Sequence, residues 1–292
     1  MLNERRVTGS FGVASFPLHG ASTEDIIRVA DVGMYVSKHA GGNRVSTAEE
    51  VTEAETSSMH RQQITAYVDG FLQREHSGPE HTAELVSTLR RMCDSLGEPA
   101  GTDAMMEAIR SLNQAVEVRE RSSSTHGSGV AFYSRMIGQE LGMTPEELED
   151  LVFAASVHDV GKVAVPERLL TKPGRLDDEE FSLVKMHATI GAQIFDAIPE
   201  SKRLRNYVRH HHERFDGLGY PDALKGEEIP LGARIIAVAD AFVNMTTDRP
   251  FAAAKASADA VQELESLSGL QFDGMIVRIL TAHLKGERMT AG

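Results

Sequence analysis

Metal-capable side chains are spread along the second half of this chain. They comprise five histidines and two aspartates, namely His126, His158, Asp159, His187, His211, His212 and Asp240. Imidazole and carboxylate together suit Fe, Mn or Zn, whereas Mg and Ca prefer oxygen ligands almost throughout. Paired ions of this kind promote phosphoester hydrolysis. A solitary histidine is more often an ordinary surface or core residue, so the hypothesis depends on the elements that position these side chains.

The first positioning element is a helix before the His-Asp pair. Its apolar residues recur at helical spacing, at Leu148, Leu151, Val152 and Ala155. It is predicted to end near VHDVGK, so His158 and Asp159 leave a rigid element. Adjacent residues on a helix diverge by about 100°. That divergence lets the carboxylate bridge two ions while the imidazole binds one, and the adjacent His211 and His212 offer the same arrangement.

Two further predicted helices carry single candidates. One is predicted from Asp178 to Phe195 and contains His187. The other is predicted from Leu231 to Val243 and contains Asp240. Ligands on helices are held more precisely than ligands on loops. The pattern therefore predicts a site assembled mainly from helices.

Longer motifs surround these histidines. VHDVGK is followed by KPG at Lys172 to Gly174, by HHERFDGLGYP from His211 to Pro221, and by the predicted helix with Asp240. Together they resemble the HD-GYP family of bacterial cyclic di-GMP phosphodiesterases, a branch of the metal-dependent HD hydrolases. The resemblance runs from about residue 108 to about residue 280. It implies a mainly α fold, with an HD-type all-α hydrolase domain.

The resemblance also implies which residues bind metal. The implied ligands are His126, His158, Asp159, His187, His211, His212 and Asp240. The implied cofactors are two divalent metal ions, Fe or Mn. A subset of the family holds a third ion with a Glu one turn before the first histidine. Here that position is Ser122, whose hydroxyl is a poor ligand, so a third ion would need Glu120 or another carboxylate.

Catalytic and substrate-binding roles follow from the same resemblance. Asp159 and Lys162 are the catalytic candidates: a hydroxide bridging the two ions attacks the phosphorus, and the Lys162 ammonium offsets negative charge that develops on the phosphate. A solvent-exposed cation at a helix end is the alternative for Lys162. Lys162, Arg249 and Tyr220 are the predicted substrate contacts. For Tyr220, packing of the loop is an equally weighted alternative.

The chain departs from the family pattern after Asp240. Phe251 stands where the family usually has Tyr, and Ala252 where it usually has a second cation. The family's DAL is replaced by VNM at residues 243–245. The replaced Asp is not a ligand in the family, so the metal site is expected to survive.

The N-terminal segment carries a second resemblance. Residues Val7 to Val45 are similar to the C-terminal end of a GGDEF domain, the module that makes cyclic di-GMP, but Gly42 stands where that family has a basic residue. This implies a small α/β remnant without cyclase activity and with a packing role. The predicted domains are a GGDEF-like remnant at 1–46, a helical linker at 47–105, and an HD-GYP domain at 106–292.

Composition limits the classes of partner. The net charge of −13 argues against binding of nucleic-acid polymers, because that binding relies on Lys and Arg. No apolar run is long enough to span a bilayer, and a single cysteine, Cys93, favours a reducing compartment, the cytoplasm. Apolar stripes in the linker, for example Leu85 with Leu89 and Met105 with Ile109, predict core packing or a homodimer interface.

The sequence is compatible with three functions. The favoured one is hydrolysis of cyclic di-GMP to linear pGpG, with onward cleavage to GMP left open. The second is a cyclic di-GMP receptor with little or no activity that signals through a partner, for which Ala252 is the support. The third is hydrolysis of another cyclic dinucleotide. The complete ligand set favours an enzyme over a receptor.

Overall fold

The structure is a computed structural model. It describes residues 9–15, 23, 26–27, 29–30, 33–34, 37, 43–47, 64, 66–68, 70–71, 79–94, 100–120, 126–196, 198, 201–248 and 253–286. The chain divides into two compact units, Met1–Tyr67 and Val68–Gly292. No helix in these described ranges is both long and apolar enough to cross a membrane.

The first unit contains a small parallel sheet. Strand β1 (Phe11–Val13) pairs with β2 (Val45–Thr47), with Phe11 opposite Val45. The pairing of the two strands extends over these three residues of each. The Ser37 hydroxyl joins the two strands: it donates to the Phe11 carbonyl oxygen at 2.8 Å and lies within hydrogen-bond distance of Ser46 Oγ, at 2.9 Å. Gly42 lies outside the described residues, and the GGDEF interpretation stays a prediction.

The second unit is helical, which confirms the mainly α fold. In its described part the helices are α1 (Pro79–Asp94), α2 (Ala100–Glu120), α3 (His126–Glu140), α4 (Pro145–Ser156), α5 (Glu167–Leu170), α6 (Asp178–Phe195), α7 (Lys202–His210), α8 (Leu231–Thr246), α9 (Ser257–Ser266) and α10 (Gly274–Lys285). Short 3-10 turns occupy Val160–Ala164 and Gly226–Glu228.

Two of the predicted apolar stripes are buried within this chain. Leu85 and Leu89 on α1 and Met105 and Ile109 on α2 are each at most 1% exposed, and α1 packs against α2. Burial of these apolar side chains is the dominant favourable contribution to helix pairing. The stripes therefore form core, and the predicted homodimer stays a prediction.

Local sequence signals explain where the site-bearing helices begin. A reciprocal capping box between Thr144 and Glu147 starts α4, and another between Asp177 and Glu180 starts α6. Each box satisfies backbone N–H groups that have no partner within the helix. The predicted helix around His187 is confirmed with both of its bounds. α8 extends past its predicted end at Val243 to Thr246, whose hydroxyl donates to the Phe242 carbonyl oxygen.

Gly161 allows the turn after the His-Asp pair to approach α6 closely. A Cβ atom at this position would lie 2.0 Å from the His187 carbonyl oxygen and 2.4 Å from the Gly191 nitrogen. Real Cβ atoms do not approach backbone atoms so closely, so only glycine fits without displacement of the backbone. This contact sets the separation between Asp159 and His187.

We predict that Gly161→Ala destabilises the second unit by about 1–3 kcal/mol, because overpacking forces a backbone shift. The matched control is Gly70→Ala, at a helical glycine with nothing within 4 Å of the added Cβ. Thermal unfolding should show a lower midpoint for the Gly161 variant and an unchanged or higher midpoint for the control. Equal midpoints for the two variants would contradict the packing argument.

Candidate metal centre

The seven predicted ligands come from five elements and meet in one place. His126 begins α3, His158 and Asp159 follow α4, and His187 lies within α6. His211 and His212 follow the end of α7, and Asp240 lies in α8. Every one of them lies close to at least one other member of the set. The structure thus brings together side chains that are far apart in sequence.

One group of candidate ligands surrounds Asp159 from the side of α6 and α7. The ligand atoms of Asp159, His187, His211 and His212 all lie within 4.8 Å of one another. Asp159 Oδ1 is 3.4 Å from His187 Nε2 and 3.9 Å from His211 Nε2. Three imidazoles and one carboxylate match the ligand types of Fe, Mn or Zn.

A second group lies on the other side of the same carboxylate. His126, His158 and Asp159 also place their ligand atoms within 4.8 Å of one another. Asp240 Oδ1 adjoins this group, 3.2 Å from His126 Nε2 and 3.5 Å from His158 Nε2. Asp159 is therefore common to both groups, the arrangement expected of a carboxylate that bridges two cations.

Two buried atoms at this junction lack a hydrogen-bond partner. They are His158 Nε2 and Asp159 Oδ1. A buried polar atom without a partner costs about 1–3 kcal/mol, and such atoms in native proteins need a compensating interaction. A cation between the two side chains provides one. The residues present therefore fit metal ions.

Backbone hydrogen bonds set the orientation of three imidazole rings. Nδ1 of His158, His187 and His211 lies 2.7–2.9 Å from the carbonyl oxygen three residues earlier. An Nδ1–H that donates to a carbonyl leaves the Nε2 lone pair free for a metal. The helical backbone thus fixes both the tautomer and the direction of these candidate ligands.

Burial keeps the α6 and α7 imidazoles neutral. It lowers the pKa of His187 to about 4 and that of His212 to about 3. The pKa of His211 is also well below its usual value, through burial and the neighbouring His212. A neutral imidazole is the form that binds metal. These three histidines are therefore in the ligating state at neutral pH.

The carboxylates of the second group remain ionised despite burial. Burial opposes the charge on Asp159, but Lys162 and then His158 outweigh it and hold its pKa well below the usual range. At His158, burial is likewise outweighed, and Asp159 and Asp240 raise its pKa. In the metal-free protein the two carboxylates thus favour a proton on His158, and a metal ion would compete with that proton.

Lys162 lies between two carboxylates. Its Nζ is 2.8 Å from Asp159 Oδ2 and 2.8 Å from Glu120 Oε1. Burial opposes its charge, but Asp159 and Glu120 raise its pKa, so it is a permanent cation. It is not the solvent-exposed helix-end cation considered as the alternative, because its side chain is only 18% exposed. Its contact with substrate stays a prediction.

The loop after the double histidine folds back onto the site. The Tyr220 ring stacks on the His212 ring, with centroids 4.9 Å apart. Glu213 holds the loop by accepting hydrogen bonds from the backbone N–H groups of Asp222 and Leu224. Gly217 has the left-handed φ of +84°. Gly219 is needed for space instead, since a Cβ there would lie 2.3 Å from the Arg214 nitrogen.

His210 is excluded from the cluster although it adjoins His211. Its Nδ1 contacts the Asn206 carbonyl oxygen and its Nε2 contacts Asp222 Oδ2, both at 2.9 Å. It stabilises the loop and offers no free ligand atom. Three sequence predictions lie outside the described residues: the substrate contact at Arg249, and the consequences of Ser122 and Ala252.

Asn244 is a neighbour of the site that sequence reasoning missed. Its Nδ2 donates to Asp240 Oδ1 at 3.0 Å, and its own Oδ1 is buried without a hydrogen-bond partner. The sequence feature that could have indicated Asn244 is the replacement of the family's DAL by VNM at residues 243–245. Because residues four apart share a helix face, that replacement placed an amide beside a candidate ligand.

We predict that Asp159→Asn removes both metal ions, because Asp159 is common to the two ligand groups. His212→Ala should remove one ion, since His212 belongs to one group only, and His210→Gln should leave two. The measurement is metal per chain in protein purified without oxygen. Two ions in the Asp159 variant would contradict a bridging role, and three in the unmodified protein would contradict the two-ion proposal.

We predict that Asn244→Ala weakens metal binding by roughly 10–100-fold, because loss of an outer hydrogen bond frees a ligand to reorient. Thr246→Ala is the control on the same helix, since the Thr246 hydroxyl bonds only the Phe242 carbonyl oxygen among the described contacts. Competition with a chelator of known affinity measures both variants. Equal affinities for the two would remove Asn244 from the site.

Comparisons with known proteins agree with this architecture. The "Cyclic di-GMP phosphodiesterase" of Thermotoga maritima is 39% identical over 64% of this chain and 50% of its own length. The "Cyclic di-GMP phosphodiesterase response regulator RpfG" of Xanthomonas campestris pv. campestris is 31% identical over 77% of this chain and 59% of its own length. The "3'3'-cGAMP-specific phosphodiesterase 2" of Vibrio cholerae is 33% identical over 61% of this chain and 34% of its own length.

The chain thus spans between a third and three fifths of the length of these relatives. A family model, described as "HD domain", matches residues 103–276, which include all seven candidate ligands. That match extends over more than half of the sequence. The chain belongs to the HD domain family.

Proposed function

We propose that this chain is a metal-dependent phosphodiesterase of the HD-GYP branch, which hydrolyses cyclic di-GMP to linear pGpG. The observation that carries the proposal is the pair of ligand groups joined by Asp159. Relatives named cyclic di-GMP phosphodiesterases support the substrate. We assign the site two divalent ions. Its mixed imidazole and carboxylate ligands suit Fe, Mn or Zn, and the resemblance to the HD-GYP family favours Fe or Mn.

Metal ions at this site would supply Lewis acidity toward the phosphate and lower the pKa of a bound water. The residues that would hold them are the seven described above. The protein's own contribution is to fix these ligands before the substrate arrives. Backbone carbonyl oxygens orient three of the imidazoles, and Lys162 holds Asp159 Oδ2 while leaving Oδ1 toward His187 and His211.

Lys162 is the proposed catalytic cation. Its ammonium is protonated and sits at the edge of the ligand cluster, 2.8 Å from Asp159. A fixed positive charge in a site shielded from water stabilises negative charge that develops on a phosphate more strongly than it would in water. Because its pKa is raised, Lys162 acts in this proposal by electrostatics and does not donate a proton.

Tyr220 and Arg249 complete the proposed substrate contacts. Tyr220 is supported by its position, since its ring stacks on His212 beside the ligand cluster. Burial also raises the pKa of its hydroxyl, so the hydroxyl stays neutral and can donate to a phosphate or a base. Arg249 rests on the sequence, because a guanidinium can grip a phosphate through two N–H groups.

Two alternatives have specific support. Hydrolysis of another cyclic dinucleotide is favoured by the relative named a 3'3'-cGAMP-specific phosphodiesterase. A receptor without activity is favoured by Ala252, which replaces a cation of the family pattern. The proposed enzyme is preferred over the receptor because a receptor has no need for two convergent ligand groups.

We also propose three domains: a GGDEF-like remnant at residues 1–46, a linker at 47–105 and an HD-GYP domain at 106–292. The protein is proposed to form a homodimer through the linker helices and to be located in the cytoplasm. Support for the location comes from the single cysteine, Cys93, because one cysteine cannot form a disulfide within the chain, and this favours a reducing compartment.

We predict that the metal-loaded protein hydrolyses cyclic di-GMP and that the double variant His158→Ala/Asp159→Ala loses this activity. The loss should exceed the roughly 100-fold that removal of an outer hydrogen-bond partner can cost, because ligands themselves are removed. Product formation is measured by chromatography, with His283→Gln, at an exposed position on α10, as the control that retains activity. Equal turnover of cyclic di-GMP by the unmodified protein and the double variant would contradict the hydrolase assignment. Unchanged binding of cyclic di-GMP by metal-free protein, without turnover, would support the receptor.

A further inference from the structure

We propose that Phe181 and Lys185 on α6 form a base-binding subsite beside the metal centre, and that Lys185 selects guanine over adenine. This inference rests on the proposed function, because it concerns the substrate of the same site. Phe181 stacks with the base, and Lys185 donates to the acceptors on the guanine edge. Neither residue belongs to the motifs that carry the family resemblance.

A row of aromatic rings connects the metal centre to this subsite. The His212 ring stacks on Tyr220 at 4.9 Å, and Tyr220 contacts Phe181 edge to face at 6.3 Å. The Tyr220 ring is also 6.5 Å from the His187 ring. Phe181 is thus separated from the His212 ring by one ring only, that of Tyr220, and the proposal places one substrate across the cluster and Phe181.

Phe181 is 43% exposed, although its ring neighbour Tyr220 contacts the imidazoles of the cluster. An exposed aromatic ring is a stacking surface for a nucleobase, and any base can stack on it because every base has a π face. This property gives affinity without discrimination between bases. The discrimination must come from a polar group at the same place.

Lys185 is the polar group at that place. Its Nζ lies 4.6 Å from the centre of the Phe181 ring and 5.6 Å from the centre of the Tyr220 ring. No ion pair with a carboxylate joins it to the residues that the structure describes. A lysine held over two rings, with its N–H groups uncommitted to an acid, can donate to a ligand that enters beside Phe181.

The edges of the two purines differ in what they offer to such a donor. Guanine presents two acceptors, O6 and N7, whereas adenine presents one acceptor, N7, beside the N6 amino donor. A lysine ammonium has three donors and no acceptor. It therefore pairs with guanine through two atoms. On adenine the contact with N7 is offset by the neighbouring N6 donor, so the ammonium gains little.

The experiment compares the KM and kcat of matched variants on cyclic di-GMP and cyclic di-AMP. Phe181→Ala is paired with Leu183→Ala, which lies on the same helix with the same exposure of 43%. Lys185→Gln is paired with Lys202→Gln, at the opposite end of α7 from the double histidine. Each pair removes the same kind of side chain.

Phe181→Ala should raise KM for both dinucleotides by about 10-fold, with kcat within about twofold. Lys185→Gln should raise KM about 10-fold for cyclic di-GMP and leave cyclic di-AMP nearly unchanged. The two control variants should match the unmodified protein. A Phe181 variant equal to the Leu183 variant would overturn the subsite, and equal effects of Lys185→Gln on both dinucleotides would overturn guanine selection.

Bis(4-nitrophenyl) phosphate, a diester without nucleobases, separates failure of the inference from failure of the proposed function. If the unmodified protein cleaves the diester and cyclic di-GMP but KM is unchanged in the Phe181 and Lys185 variants, the subsite is wrong and the phosphodiesterase stands. If the unmodified protein cleaves neither substrate, the phosphodiesterase assignment is wrong. The same variants then test the subsite by calorimetric dissociation constants for the two dinucleotides, with the same expected ratios.

Discussion

The central physical constraint is the shared position of the Asp159 carboxylate. One of its oxygens is held by Lys162, and the other is buried without a hydrogen-bond partner among the ligand atoms of α6 and α7. The same residue completes the group that contains His126 and His158. An ionised carboxylate in a buried place needs compensating positive charge. Lys162 supplies part of it, and the geometry leaves the remainder to cations.

The fold meets this constraint through contacts that lie outside the ligand set. Gly161 lets the turn after Asp159 approach the backbone of α6, and Glu213 holds the loop that stacks Tyr220 on His212. Backbone carbonyl oxygens set the directions of three imidazoles. Preorganised ligands avoid reorganisation at the moment of reaction. The site is therefore a property of how five elements pack.

Much of this architecture could be predicted from the sequence, because its signals are local. The capping residue Asp177 and the apolar periodicity define the helix around His187, and the family resemblance names all seven candidate ligands that the structure brings together. Long-range contacts could not be predicted in the same way. Nothing in the local sequence indicates that Lys162 reaches Glu120, or that Gly161 contacts the backbone of residue 187. The role of Asn244 could be predicted in part, because the altered motif marks its position but does not indicate its hydrogen bond to Asp240.

The central claim is that one carboxylate joins two metal ions, which X-ray diffraction from metal-loaded crystals tests directly. Anomalous difference maps collected at the absorption edge of the bound metal locate each ion independently of the protein atoms. The account predicts two peaks, one among His187, His211 and His212 and one among His126, His158 and Asp240. The Asp159 carboxylate should be in contact with both ions. A single peak, or two peaks of which one lies away from Asp159, would contradict it.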